Sequence, residues 1–91
     1  MEQIDYVKNS QILKALSHPV RLKILEVLLD AKCCVTDVSN ALGIKQSVAS
    51  QHLTILKNGG IVYSQKHGSK AYYIVNNDLA KGIISILKKN K

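Results

Sequence analysis

Five uncharged hydrogen-bonding side chains, Ser47, Ser50, Gln51, Thr54 and Asn58, share one side of a helical repeat. The other side carries Ala49, Leu53 and Leu56 at i, i+4 and i+7 and must face a core. Gln offers both a donor and an acceptor, the pair needed to read an adenine edge in a DNA major groove. A solvated helix face normally mixes Glu with Lys, yet no acid occurs between Gly43 and Ser69. A helix that must approach phosphates cannot carry carboxylates, so this stretch reads as a recognition helix.

Two further groups of residues could do chemistry. Cys33 and Cys34 are adjacent. Their Cα atoms are held about 3.8 Å apart by the peptide, against about 4.4–6.8 Å in an ordinary disulfide. A bond between them would be strained and easily reduced, which suits an oxidant sensor better than a staple. Capture of a trivalent arsenical is a second reading, and simple packing of two small apolar side chains a third. The other group, Lys66, His67 and Lys70, is basic and brackets a turn.

Composition restricts the partners. The chain has 91 residues, enough for one domain, with 13 Lys and Arg against 6 Asp and Glu, a net charge of +7 and a pI near 9.6. An acidic partner follows, either nucleic acid or an anionic membrane surface. No run approaches the roughly 18 apolar residues of a membrane span, and the opening MEQIDYVKNS lacks the basic-then-apolar order of a signal peptide. A cytoplasmic location with no membrane partner is expected, and with it reduced thiols. No Cys-x-x-Cys, Ser-His-Asp grouping or glycine-rich phosphate loop supports an enzyme. A protein-binding module that has lost DNA contact would have no reason to keep residues 43–69 free of acid.

The elements that hold these groups follow from periodicity and punctuation. Residues 2–16 read as a first helix, with Ile12, Leu13 and Leu16 apolar and Glu2, Asp5, Lys8 and Lys14 wet. Ser17-His18 caps a second helix that starts at Pro19 and runs to residue 29. Its Val20, Leu22, Ile24, Leu25, Val27, Leu28 and Leu29 surround it, so it is the centre of the domain. A short third helix over residues 36–42 is expected to take Thr36 as N-cap, bury Val38, Ala41 and Leu42, expose Ser39 and Asn40, and stop at Gly43. Followed by the polar-striped helix, it makes a helix-turn-helix.

After Asn58-Gly59-Gly60, residues 61–66 and 70–75 read as strands around a His67-Gly68-Ser69 turn. A hairpin in that place is the wing of a winged helix. A last helix over residues 77–89, capped by Asn76 or Asn77, carries Leu79, Ala80, Ile83, Ile84, Ile86 and Leu87. That apolar face exceeds what so small a domain can cover. A homodimer is expected, with Leu79, Ile83, Ile86 and Leu87 meeting Ile12 and Leu13 in an interface of terminal helices. The expected fold is mainly α with a β-hairpin wing, a winged helix-turn-helix.

The run Leu13-Lys14-Ala15-Leu16-Ser17-His18-Pro19-Val20-Arg21-Leu22-Lys23-Ile24-Leu25, then Ser47-Val48-Ala49-Ser50-Gln51-His52-Leu53 with Leu56 and Gly60-Ile61-Val62, resembles the ArsR/SmtB family of winged-helix repressors over nearly the whole chain. The resemblance implies a homodimer on an inverted-repeat DNA operator, released by an effector. It places Gln46, Ser47, Ser50 and Gln51 at the DNA-contacting start of the recognition helix; Thr54, from the polar face, and Lys57, further along, are DNA-binding candidates by residue type. His52 matches the histidine of a Ser-x-His-Leu motif, either gripping a phosphate or bracing the helix. Arg21 matches the arginine of a His-Pro-x-Arg motif, reaching the DNA backbone or forming a structural salt bridge.

The chain departs from that pattern at three places. Lys45 stands where the family has a capping Ser or Thr; it cannot accept a hydrogen bond and suits a phosphate instead. Ser69 replaces a frequent wing arginine, leaving Lys66, His67 and Lys70 to hold the DNA. Cys34-Val35-Thr36-Asp37 matches the metal-binding Cys-Val-Cys-Asp of some members with Thr36 in place of one thiolate, and the last helix offers Asp78 but no His or Glu. Neither a metal of the familiar kind nor a cofactor is expected.

Overall fold

The computed structural model describes residues 3–91, so Glu2, the expected start of the first helix, lies outside the described residues. Helix α1 (Tyr6–Leu16) begins later than expected because Asp5 is its cap, the carboxylate accepting from Lys8 N at 3.0 Å. Helix α2 (Pro19–Asp30) starts at its proline, with His18 Nδ1 accepting from Val20 N at 3.1 Å. Ile24 and Leu25 of α2 are wholly buried, together with Val38, Leu53, Leu56 and Ile61 from the elements around them. The central position of α2 is therefore observed, although Leu22 and Leu29 pack on the core from its edge.

Helix α3 (Val35–Leu42) corrects two expectations. Cys34, not Thr36, occupies the N-cap position, and Asp37 three residues on accepts from Cys34 N at 3.2 Å. Ser39 is buried at 8% exposure while Ala41 is exposed, the reverse of the sequence reading. The reason is local: the Ser39 hydroxyl closes the following turn and is drawn inward by that bond.

Helix α4 (Gln46–Asn58) buries Ala49, Leu53 and Leu56 completely, as its repeat required. Strands β1 (Val62–His67) and β2 (Lys70–Val75) pair antiparallel from Val62↔Val75 to His67↔Lys70. His67 thus belongs to the strand, and the loop is the two residues Gly68-Ser69 rather than three. Outside the hairpin, Cys33 pairs with Tyr73, exchanging amide-to-carbonyl bonds of 2.7 and 3.4 Å. The hairpin is thereby tied to the connection between α2 and α3.

Helix α5 (Asp78–Lys89) is capped by Asn77, whose side-chain oxygen accepts from Ala80 N at 2.9 Å. It buries Ala80 and Ile84 and leaves Leu79, Ile86 and Leu87 exposed, Ile86 at 66%. Leu13, Ile4, Tyr6 and Val7 at and before α1 are also exposed. Ile12, expected at a dimer interface, instead sits in this chain's own core at 5% exposure, and Ile83 packs against that core from the side. The first helix is narrow in its apolar stripe, so Ile12 and Leu16 together suffice to anchor it. None of the described helices is long and apolar enough to cross a membrane.

Candidate nucleic-acid interface

The turn between α3 and α4 sets where the recognition face stands. Gly43 adopts φ +65°, a left-handed conformation that a side chain would strain. The Ser39 carbonyl accepts from the amides of Gly43 and Ile44, and the Ser39 hydroxyl donates to the Ile44 carbonyl at 2.6 Å. These three bonds all lie within the segment from Ser39 to Ile44, which makes the angle between the helices a local property.

Along α4, Gln46, Ser47, Ser50, Gln51, Thr54 and Lys57 are all exposed. The Thr54 hydroxyl donates back to Ser50 O at 2.9 Å, which leaves its oxygen lone pairs free to accept. Lys45 sits at the N-cap position and makes no side-chain capping bond. The first amides of α4 consequently keep their donor capacity, and the helix dipole adds positive potential at the same end.

His52 differs from its neighbours in being half-buried. Its Nδ1 lies 3.4 Å from Arg21 Nη1, and its ring centre 4.6 Å from that of His18. Burial, then His18 and then Arg21, hold His52 below the usual histidine pKa. Arg21 Nε donates to Ala15 O at the end of α1. Of the two roles left open for Arg21, neither a salt bridge nor a free cation is found among the described residues: its partners there are a carbonyl and an imidazole.

At the hairpin tip Lys66, His67 and Lys70 are exposed. His67 stands edge-on to Tyr72 with ring centres 5.7 Å apart, and Lys32 Nζ lies 5.9 Å from the centre of the same ring. Lys32 thus joins the cations of the wing, a placement missed in the sequence because only the Cys33–Tyr73 pairing brings that loop to the hairpin. Lys70 also acts electrostatically on Asp37.

The cysteines are less exposed than a reactive pair would be. Cys34 is buried, and Cys33 is half-buried with its thiol donating to Ala31 O at 3.2 Å. Burial pushes the Cys33 thiol above its ordinary pKa, and Asp37 and Cys34 add to the effect. Asp37 is itself held below the usual carboxylate value by the Cys34 thiol and then by the Cys34 amide. Among the described residues no three His, Cys, Asp or Glu side chains gather to hold a metal ion.

These features match known proteins closely. Residues 18–64 fit the family model described as bacterial regulatory protein, arsR family. The chain is 34% identical over 88 residues to the transcriptional repressor PagR of Bacillus anthracis, covering 96% of this chain and 88% of PagR. It superposes on HlyU from Vibrio cholerae with a TM-score of 0.87 at 34% identity, covering 98% and 96% of the two chains; HlyU is named a transcriptional activator. A homodimeric winged helix-turn-helix domain from Mycobacterium bovis superposes with a TM-score of 0.81 at 26% identity over 97% of this chain and 86% of the other.

Proposed function

The chain belongs to the ArsR family of bacterial regulatory proteins and is a DNA-binding transcriptional regulator, and from that premise we propose that it acts as a homodimeric repressor on an inverted-repeat operator in the cytoplasm. The observation that carries this reading is α4: its apolar stripe is fully buried while Gln46, Ser47, Ser50, Gln51 and Thr54 stand exposed with no carboxylate among them. Gln51 and Gln46 read base edges, Ser47 and Ser50 support them, and Lys45, Lys57, Lys66, His67 and Lys70 neutralise phosphates. His52 braces the helix from its half-buried side.

Dimerisation supplies the second recognition helix. Leu13, Leu79, Ile86 and Leu87, joined by Ile4, Tyr6 and Val7, form the apolar surface that a second copy would cover. Two recognition helices then meet successive major grooves about 34–36 Å apart. The test is titration of duplex DNA from upstream of the gene, and of a scrambled duplex, with protein whose mass is followed by sedimentation. A dimer that prefers the upstream duplex at moderate salt supports the proposal, and equal affinity for both duplexes overturns it. Ile86→Glu should yield a folded monomer that has lost the preference.

Control by thiol oxidation is the finer part of the proposal. Peroxide would take two electrons from the Cys33 and Cys34 thiols, forming the disulfide and two waters. Because Cys33 is in extended pairing with Tyr73, closing that bond requires the pairing to open, and the wing would lose its tie. The raised Cys33 pKa makes the reaction slow. Loss of operator binding on oxidation, absent in the Cys33→Ser and Cys34→Ser variants, is the expected result; an identical response in those variants excludes the pair as the switch.

A further inference from the structure

Arg21 stands in the first turn of α2, where the helix dipole disfavours a cation, so its placement calls for a compensating role. The guanidinium has two partners on two different helices: Ala15 O, one of the last carbonyls of α1, and His52 Nδ1 in the middle of α4. Resting on the DNA-binding reading above, we propose that Arg21 is a positioning residue for operator recognition, which fixes α4 relative to α1 and fixes His52 as a neutral imidazole protonated only at Nε2.

The chemistry of the contact requires that tautomer. Arginine has five N–H donors and no acceptor, so the imidazole nitrogen facing it must accept. A second proton on His52 would set N–H against N–H beside a permanent cation. His18, packed on the other ring, cannot relieve this by turning, because its own Nδ1 already accepts from Val20 N. Arg21 and His18 are the charged and titratable groups that act on His52, and both push it towards the neutral form. The planar guanidinium presents Nε to Ala15 O and Nη1 to His52 from separate points of one rigid plane, whereas a lysine ammonium offers its donors from a single nitrogen on a flexible stem. Since α1 carries part of the exposed apolar surface assigned to the dimer, the contact runs from the dimer scaffold to the reading helix.

The test compares wild type with Arg21→Gln, Arg21→Lys, His52→Gln and His52→Leu in operator and scrambled-duplex titrations across a salt series. Arg21→Gln and Arg21→Lys should each weaken operator binding about tenfold. Scrambled-duplex affinity, measured well below each variant's melting temperature, and the slope of log K against log salt should stay where they are. His52→Gln retains an acceptor for Arg21 and should weaken operator binding less than His52→Leu, which offers none. The NMR titration of His52 should move up towards the ordinary histidine range in Arg21→Gln. A salt slope reduced by about 0.9 would instead make Arg21 a direct phosphate contact and overturn the proposal. Unchanged operator affinity in both Arg21 variants overturns it as well, as does equal weakening on both duplexes. If Arg21→Gln fails to fold, Arg21→Lys and His52→Gln decide by the same criteria. Wild type that ignores duplex DNA altogether overturns the DNA-binding reading and this proposal together, whereas wild type that binds beside equally strong Arg21→Gln and Arg21→Lys removes this proposal alone.

Discussion

Ser39 and Ile44 are bonded twice across the joint of α3 and α4: the Ser39 carbonyl accepts from the Ile44 amide at 3.1 Å, and the Ser39 hydroxyl donates to the Ile44 carbonyl at 2.6 Å. Removing the hydroxyl leaves the Ile44 carbonyl without that donor in a largely buried place. Ser39→Ala should therefore lose about 1–3 kcal/mol in urea unfolding. Operator affinity measured well below the unfolding midpoint should also fall, because the angle of α4 is no longer fixed. A variant as stable as wild type would show that water replaces the hydroxyl at this joint.

Base reading and phosphate grip should separate under salt. Gln51→Ala should lose about 1–3 kcal/mol of discrimination for the operator and leave the salt slope unchanged. Lys66→Ala should weaken binding to all duplexes alike and lower the slope by about 0.9. Titrations at several salt concentrations distinguish the two; a slope change at Gln51 would move that residue to the phosphate class.

Acid should weaken the fold through His52. Its folded pKa lies below the ordinary value, so between the two the unfolded chain binds more protons. The stabilisation from keeping His52 neutral is complete above about pH 6.5 and is lost as pH falls towards the folded value. Urea midpoints at pH 7.5 and 5.5 should drop more for wild type than for His52→Gln. Equal drops would show that His52 is not the group responsible.

The paired glycines after α4 should respond in opposite directions. Gly59 is right-handed at φ −80°, and a methyl there would meet Ile55 O at 3.4 Å and Ala15 Cβ and Ile61 Cδ1 at 3.6 Å, ordinary contacts. Gly59→Ala should gain about 0.4–1 kcal/mol by restricting the unfolded chain. Gly60, at φ +74°, is left-handed, and Gly60→Ala should lose about 1–2 kcal/mol. Thermal melts of the two variants check both signs.

Where sequence and structure agree, the signal was a repeat or a residue with a single use. The Ala49-Leu53-Leu56 stripe, Pro19 at a helix start and Gly43 at a helix end have few alternatives, and each fell where expected. The errors came from contacts between elements. Ser39 was read as wet because a serine on a short helix usually is; its bond to Ile44 depends on a turn whose closure no periodicity reveals. Ile12 and Leu13 are neighbours of equal hydrophobicity, and only the way α1 lies on the core sends one inward and the other out. Lys32 and Arg21 carry charges whose partners, Tyr72 and His52, lie 40 and 31 positions away in the chain and meet them only in the folded domain.

A two-stranded hairpin is marginal when it stands alone. The pairing of Cys33 with Tyr73 gives this one a third point of attachment, in the loop that leads directly into α3. In the proposed complex the wing would reach DNA already ordered, and capture would not wait for it to find its shape. Its influence belongs to the lifetime of the complex: with the attachment intact the wing and α4 let go together, and with it opened each lets go separately, so that disturbing this loop should appear as faster dissociation at an almost unchanged rate of association.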